Sequence, residues 1–390
     1  MSNIKKLSSR IVIFLVCAAL AMLPSMALAG VSASDLPVDV RNNIVLIMEP
    51  ESGSIIFAQN ENKQVPVASI TKIMTLLLIF EAIESGDISP EDMVTVSKAA
   101  AAMEGSRAFL DAGSQYSVSD LIRTIIISSA NDSSVAMAEH IAGSESAFVE
   151  MMNRRAMELL MPDTVFKNST GLPAEGQYST AADVSIMARA LMERGEYGEW
   201  FTTWMDKLTH PSGRVTDLTN TNRLVRFYSG TYGLKTGYSG EAGHCIAASA
   251  KRGDMSLLTI LLGIESSNAR FNMAQKLLDF GFASYEKTVI VRAGDVVSEG
   301  VPVRGSTVRR IDLIAQNDIS VLTKKGSESL YTVHEDIPSV IFAPATVDEP
   351  VGGITVRLQD GTSLYSPIVI SRDELPSSFF SLITRILSLW

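Results

Sequence analysis

Three short stretches of the chain hold side chains able to carry out acyl transfer. In VASITKIMTLLLIF, residues 67–80, Ser69 stands three residues before Lys72, the only charged residue of the run. Read as a helix, this spacing puts the two side chains on one face, about 60° apart around the axis. Leu76, Ile79 and Phe80 share that face, and Ile70, Met74, Leu77 and Leu78 cover the others. A helix that is apolar all round is buried. Desolvation there disfavours the charged form of Lys72, and the positive end of the helix dipole acts in the same direction. A neutral amine one turn from a hydroxyl is a general base for a serine nucleophile. The same four residues also fit a plain alternative, with Ser69 as an N-cap and Lys72 reaching solvent along its stem.

The second stretch, Ser128-Ser-Ala-Asn-Asp132, places Ser129 and Asn131 two residues apart between two helical runs. Ser119 reads as the N-cap of the first of these helices. Asp132 reads as the cap of the second, which should end near Gly143. An ordinary capped loop has the same composition. The third, Tyr232-Gly-Leu-Lys-Thr-Gly237, reads as a strand presenting Lys235, the Thr236 hydroxyl and a residue with no side chain. An exposed lysine on an edge strand fits it equally. In this order the three together are far more specific than any one alone.

The elements that must hold these residues follow from the surrounding pattern. Residues 43–49 (NIVLIME) and 54–58 (SIIFA) flank Pro50-Glu-Ser-Gly53 and predict a β-hairpin. A second hairpin joins 243–250 to 255–263 through Lys-Arg-Gly-Asp, with long helical stretches between the two. Strands at both ends with helices between them predict an antiparallel sheet with a helical insert, an α+β layout. From about residue 290 the helical period gives way to TVRRIDLIA, ISVLT, ITVRL and SLYSPIVI, with Asp360-Gly361 as a hairpin turn. These predict a small all-β domain. The boundaries so read are 1–29, 30–288, 289–372 and 373–390.

The ends of the chain carry their own signals. Lys5, Lys6 and Arg10, a short apolar run and Ala27-Leu-Ala29 have the pattern of a cleaved secretory signal peptide. Cleavage removes three basic and no acidic residues, so the mature chain is more acidic than the full chain, whose formal net charge is −10. Such a chain is a poor partner for nucleic acid. Only Cys245 remains after cleavage, so no internal disulfide can form; in its apolar strand it reads as a small core residue. At the other end, Phe379, Phe380, Leu382, Ile383, Ile386, Leu387, Leu389 and Trp390 fall on one half of a helical wheel. A helix over 377–390 is too short to span a bilayer and is expected to lie in the plane of a membrane surface.

Ser69-Ile-Thr-Lys72, Ser129-Ala-Asn131 and Lys235-Thr-Gly237 resemble the S-x-x-K, S-x-N and K-T-G triplet of penicillin-binding proteins and serine β-lactamases. The closer resemblance is to the low-molecular-mass D-alanyl-D-alanine carboxypeptidases. VPVASITKIMT, SSANDSSVAMAEHIAG, NSTGLPAEGQYSTAAD and GLKTGYSGEAGHCIAASA all read like that family, and so does the order of signal peptide, catalytic domain, β domain and amphipathic tail. Ala130 stands where the family often has glycine, and Tyr238 where histidine is common.

The resemblance implies a set of roles. Ser69 attacks the carbonyl between two terminal D-alanines while Lys72 takes its proton. The N–H groups of Ser69 and Tyr238 form the oxyanion hole. Ser129 and Lys235 pass a proton to the departing D-alanine, and Asn131 orients Lys72 and the substrate amide. Thr236 and Arg270 hold the substrate's free carboxylate, and Gly237 lets the substrate backbone lie along the strand. The expected partners are peptidoglycan stem peptides ending in D-Ala-D-Ala, β-lactams that acylate the same serine, and the outer face of the cytoplasmic membrane.

Two other readings compete. A class A β-lactamase hydrolyses its acyl-enzyme with a glutamate in an E-x-x-x-N pattern, and none occurs between Asn131 and Lys235. A wall-binding module without catalysis has no use for a buried lysine beside a serine. His140, His210, His244 and His334 are the only histidines, and neither G-x-S-x-G nor H-E-x-x-H is present. Neither a histidine triad nor a zinc site is therefore indicated, and no cofactor is expected.

Overall fold

The computed structural model describes residues 31–194, 198–306, 308–326, 331–358 and 361–374. The signal-peptide segment 1–29, Asp360 of the expected hairpin turn, and the tail 377–390 lie outside the described residues. The chain divides into two compact units between Ser284 and Tyr285.

The first unit is built on a five-stranded sheet closed from both ends of the segment. Strands β1 (Ile44–Met48) and β2 (Ile55–Gln59) form the first hairpin. The chain then leaves the sheet through a short 3-10 turn, Ala68–Thr71, into helix α1 (Lys72–Glu84). α1 contains no glycine or proline and stops at Ser85-Gly86, where Gly86 takes a left-handed φ of 77°. Residues 72–80 are all buried, because, past the one-turn α2 (Lys98–Ala101), helices α3 (Val118–Ile127), α4 (Asn131–Ala142), α5 (Glu145–Glu158) and α6 (Ala181–Met192) surround α1. Two small hairpins, Met93–Thr95 with Gln115–Ser117 and Met205–Thr209 with Val215–Thr219, lie among these helices.

The chain returns to the sheet as Thr231–Ser239, Gly243–Arg252 and Met255–Ile264. In chain order, counting the four hairpin strands as β3 to β6, these are β7, β8 and β9. The sheet order is β2-β1-β9-β8-β7, antiparallel throughout. The period of two sorts its residues. Leu46, Leu258, Ile260 and Leu262 join the core around α1, whereas Ile47 and Leu257 meet Gly281 of the long helix Ser267–Ser284. With both faces covered, β1, β8 and β9 are nearly continuous apolar runs. Cys245 lies fully buried on β8, and burial pushes its thiol up to about 11.

Two expected caps are corrected. Ser117, not Ser119, caps α3: its Oγ accepts the Asp120 N–H at 3.1 Å, while Ser119 sits inside the first turn and its N–H goes to Pro90 O. Asp132 does not cap α4, which starts one residue earlier with no side-chain cap. Its carboxylate instead accepts the N–H groups of Ala108 (3.0 Å) and Leu110 (3.1 Å). Gly143 ends α4 with φ 78° as expected.

The regular elements of the second unit among the described residues, from Tyr285 to Glu374, are all strands. Tyr285–Val291 pairs with Ile319–Lys324, and six further strands form a second sheet. Arg310–Ala315 shows why: Ile311, Leu313 and Ala315 face a core with Val356, Ile368 and Ile370, while Arg310 and Asp312 face out.

Candidate active site

Ser69 lies in the 3-10 turn before α1, and Ala68 before it holds a positive φ of 48°. Two glycines let this turn sit where it does. A Cβ on Gly171 would fall 2.0 Å from Ala68 O, and one on Gly237 would fall 2.8 Å from Val67 O and 3.1 Å from Ser69 N. Gly237 thus clears room for the serine turn beside β7, a requirement set by the protein's own packing. Asn168 fixes the other wall, its Oδ1 accepting N–H from Thr170 and from Gly171 at 2.7 Å.

Lys72 opens α1 and is fully buried, while Ser69 is partly exposed. Its Nζ lies 2.7 Å from Asn131 Oδ1, 2.6 Å from Thr170 O and 3.1 Å from Ser69 Oγ. Burial, and then repulsion by Lys235, hold its pKa well below the usual lysine range, with Asp132 pulling weakly the other way. In its neutral form the amine has two hydrogens and one lone pair. Asn131 Oδ1 and Thr170 O can only accept, so they take both hydrogens, and the lone pair is left to face the Ser69 hydroxyl. This is the proton-accepting arrangement a serine nucleophile needs.

Lys235 is also buried, and burial followed by the charge of Arg270 pushes it down to about 7. Its closest hydrogen-bond contact is long, 3.4 Å to Thr236 O. β7 reaches it through a bulge at Tyr232 and Leu234, and Leu234 has φ 79°. Ser129, in the link between α3 and α4, has φ 62° and a buried Oγ with no partner among the described residues. Thr236 Oγ1 donates to Thr221 Oγ1 at 2.8 Å. Backbone strain and an orphaned hydroxyl at one place are features of sites that pre-organise side chains for a ligand.

A family model described as D-alanyl-D-alanine carboxypeptidase matches residues 30–266, and one for the C-terminal domain of penicillin-binding protein 5 matches 285–374. The chain belongs to the D-alanyl-D-alanine carboxypeptidase family. It is 37% identical over 363 residues to the D-alanyl-D-alanine carboxypeptidase DacF of Bacillus subtilis, covering 93% of this chain and 92% of that one. It is 32% identical over 352 residues to DacC of Escherichia coli, at 86% and 84% coverage. Penicillin-binding protein 5 of Haemophilus influenzae superposes with a TM-score of 0.71 at 28% identity, covering 89% of this chain and all of that one.

For a carboxypeptidase of this family, the remaining site residues are placed unequally. Hydrogen bonds join Ser69, Lys72 and Asn131 directly, and charge couples Lys235 to Lys72. Arg270 is buried on the helix after β9. Its Nη1 donates to Gly237 O and Cys245 O, both at 3.0 Å, so part of the guanidinium is committed to the K-T-G strand itself. Tyr238 is 64% exposed and stacks on His244, ring centroids 4.4 Å apart. Sequence reading assigned no role to Thr170, Gly171, Gly105 or Thr221. The signal for the first two was present in Asn168-Ser-Thr-Gly171, an Asn and a Gly three apart as in a tight turn.

Proposed function

We propose that Ser69 is the acylating nucleophile of this carboxypeptidase and Lys72 its general base. Ser69 Oγ attacks the carbonyl carbon of the penultimate D-alanine of a peptidoglycan stem peptide as its proton passes to Lys72. The N–H groups of Ser69 and Tyr238 stabilise the oxyanion. The C–N bond then breaks, and the terminal D-alanine leaves with a proton relayed through Ser129 and Lys235. Water hydrolyses the ester and regenerates Ser69. Thr236 and Arg270 bind the free carboxylate, the requirement that separates a carboxypeptidase from an endopeptidase. The three-way environment of Lys72 Nζ carries this reading.

β-Lactams acylate the same serine, and without the E-x-x-x-N glutamate their release is slow. The test incubates the protein and Ser69→Ala with a D-alanyl-D-alanine peptide and with labelled penicillin. D-Alanine release and an adduct on Ser69 by mass spectrometry are expected, both absent in the variant. Release that survives Ser69→Ala would sink the assignment, and rapid penicillin turnover would favour a β-lactamase.

The functional organisation is a signal peptide over 1–29, a catalytic domain over 30–288, a β domain over 289–372 and a membrane-surface helix within 373–390. No helix among the described residues is long and apolar enough to cross a membrane. The enzyme works outside the cytoplasmic membrane, resting on its outer face through residues 377–390. Deleting that segment should release the protein from membranes with activity kept; unchanged membrane association would refute the anchor.

A further inference from the structure

Asn131 is held by a segment with no regular structure of its own. Its Nδ2 donates to Glu104 O at 2.6 Å and its N–H to Ser106 O at 2.7 Å. The next residue, Asp132, accepts the N–H groups of Ala108 and Leu110. A Cβ on Gly105 would fall 2.9 Å from Asn131 Nδ2, so segment and side chain are in direct contact.

The far side of the segment is gripped by the turn between Met205–Thr209 and Val215–Thr219. Arg214 Nη2 donates to Phe109 O and to Asp111 Oδ1 (2.9 Å), and lies 3.1 Å from His210 Nδ1. Ser212 Oγ reaches Asp111 Oδ2 at 3.3 Å. His210, almost fully buried, lies 2.7 Å from both Tyr116 OH and Thr216 Oγ1, and Tyr116 OH accepts the Asp111 N–H at 3.1 Å.

Tyr116 OH and Arg214 Nη2 both face His210 Nδ1, and Thr216 Oγ1 faces Nε2, so both ring nitrogens have polar partners. The charged groups facing this ring are Arg214 from its own turn, Asp111 from the segment and Asp132 from α4. Burial and Arg214 outweigh the two carboxylates and lower the ring's pKa below the usual histidine range. Between the two grips Phe109 is held at φ 61°, a conformation a bulky residue keeps only when its surroundings over-determine it.

The Arg214 and Asp111 side chains are 41% and 39% exposed. An ion pair that open to water contributes at most about 1 kcal/mol to stability. The weight of the contact therefore falls on position. We infer that Arg214, braced by His210, is a positioning residue for the carboxypeptidase reaction: it clasps the 104–111 segment and so sets Asn131 against Lys72. The inference rests on the assignment of Asn131 to Lys72 made above.

The test is a double-mutant cycle read by the rate of acylation by labelled penicillin, with thermal unfolding followed alongside. Arg214→Met should slow acylation about tenfold, since displacement of a catalytic group by a fraction of an ångström has that effect. The unfolding midpoint should move by no more than about 4 °C. In an Asn131→Ala background the same substitution should change the rate by less than about twofold, because groups that act through one another are not additive. Asp111→Asn provides the same cycle should Arg214→Met lose its fold. An equal loss in both backgrounds, or a wild-type rate in Arg214→Met, overturns the clasp. An Asn131→Ala protein that acylates normally overturns instead the site reading on which it depends.

Discussion

Gly171 offers a direct probe of how the serine turn is seated. Alanine there carries two separable penalties. The first is conformational: at φ 81° a Cβ costs about 1–2 kcal/mol. The second is a clash, because the added carbon would lie 2.0 Å from Ala68 O and 2.4 Å from Ala68 C. Carbon and carbonyl oxygen settle at about 3.3 Å, so the turn must retreat by about 1 Å. The atoms that retreat are joined directly to Ser69 N, itself 3.0 Å from the same point, so the proposed nucleophile and oxyanion donor move together. Misplacement of this size in a reacting group costs about 100-fold in rate.

Gly86, just past α1, supplies the control: its φ is 77° and a Cβ there meets nothing within 4 Å. Gly86→Ala should carry the conformational penalty alone, losing about 1–2 kcal/mol of stability with acylation unchanged. Gly171→Ala should lose more stability and about 100-fold in acylation by labelled penicillin, measured by stopped-flow or quenched mass spectrometry. If the two variants acylate at rates within threefold of each other, the seating described here is wrong.

Two further outcomes follow from the charges in the site. Lys235 is held near 7 against a usual 10.5; between those values the unfolded chain binds more protons than the folded one, so stability rises with pH across that window and the buried amine costs most at and below pH 7. Lys235→Met should therefore raise the unfolding free energy by about 2–4 kcal/mol at pH 7, with the gain vanishing towards pH 10.5 and acylation lost; urea titrations at the two pH values check the sign. Arg270→Met should lower kcat/KM about 10- to 100-fold for a peptide with a free C-terminal carboxylate, the value of one or two hydrogen bonds to a charged group, and much less for its amide. Equal losses on both peptides would remove Arg270 from carboxylate recognition and leave it only the Gly237 and Cys245 carbonyls.

What was legible in the chain, and what was not, divides by the range of the interaction involved. Both sheet hairpins and the buried α1 follow from periodicity, and Ser69 and Asn131 beside Lys72 follow from side-chain chemistry and the family resemblance, whereas Thr170, whose contact is through its backbone carbonyl, does not. The caps went astray by a residue or two because Ser117 and Ser119 have the same local chemistry; only the strand running up to Ser117 decides between them. Asp132 looked like a cap because its distant partners, Ala108 and Leu110, are over twenty residues away. The hairpin of Met205–Thr209 and Val215–Thr219 was missed because each strand buries a single residue, Leu208 and Leu218, too few to show alternation. It is the hairpin whose turn carries His210 and Arg214.

Least legible of all is strain. Among the described residues six non-glycines hold positive φ, and four belong to the site: Ala68 before Ser69, Ser129 itself, Leu234 before Lys235, and Phe109 in the segment gripping Asn131. Each such residue costs about 1–3 kcal/mol, a total comparable with the net stability of an ordinary domain, about 5–15 kcal/mol. None of the four is a residue type that favours this conformation, so the cost is met by the packing around them. For Ala68 the seat is Gly171 and Gly237, for Leu234 the bulge in β7, and for Phe109 the Asp132 carboxylate and Arg214. The motifs name the groups proposed to react, but the geometry that sets Lys72 Nζ against Ser69 Oγ is stored in neighbours whose identities carry no chemistry. A fold-preserving substitution at one of those neighbours should therefore disable the enzyme with every motif residue still in place.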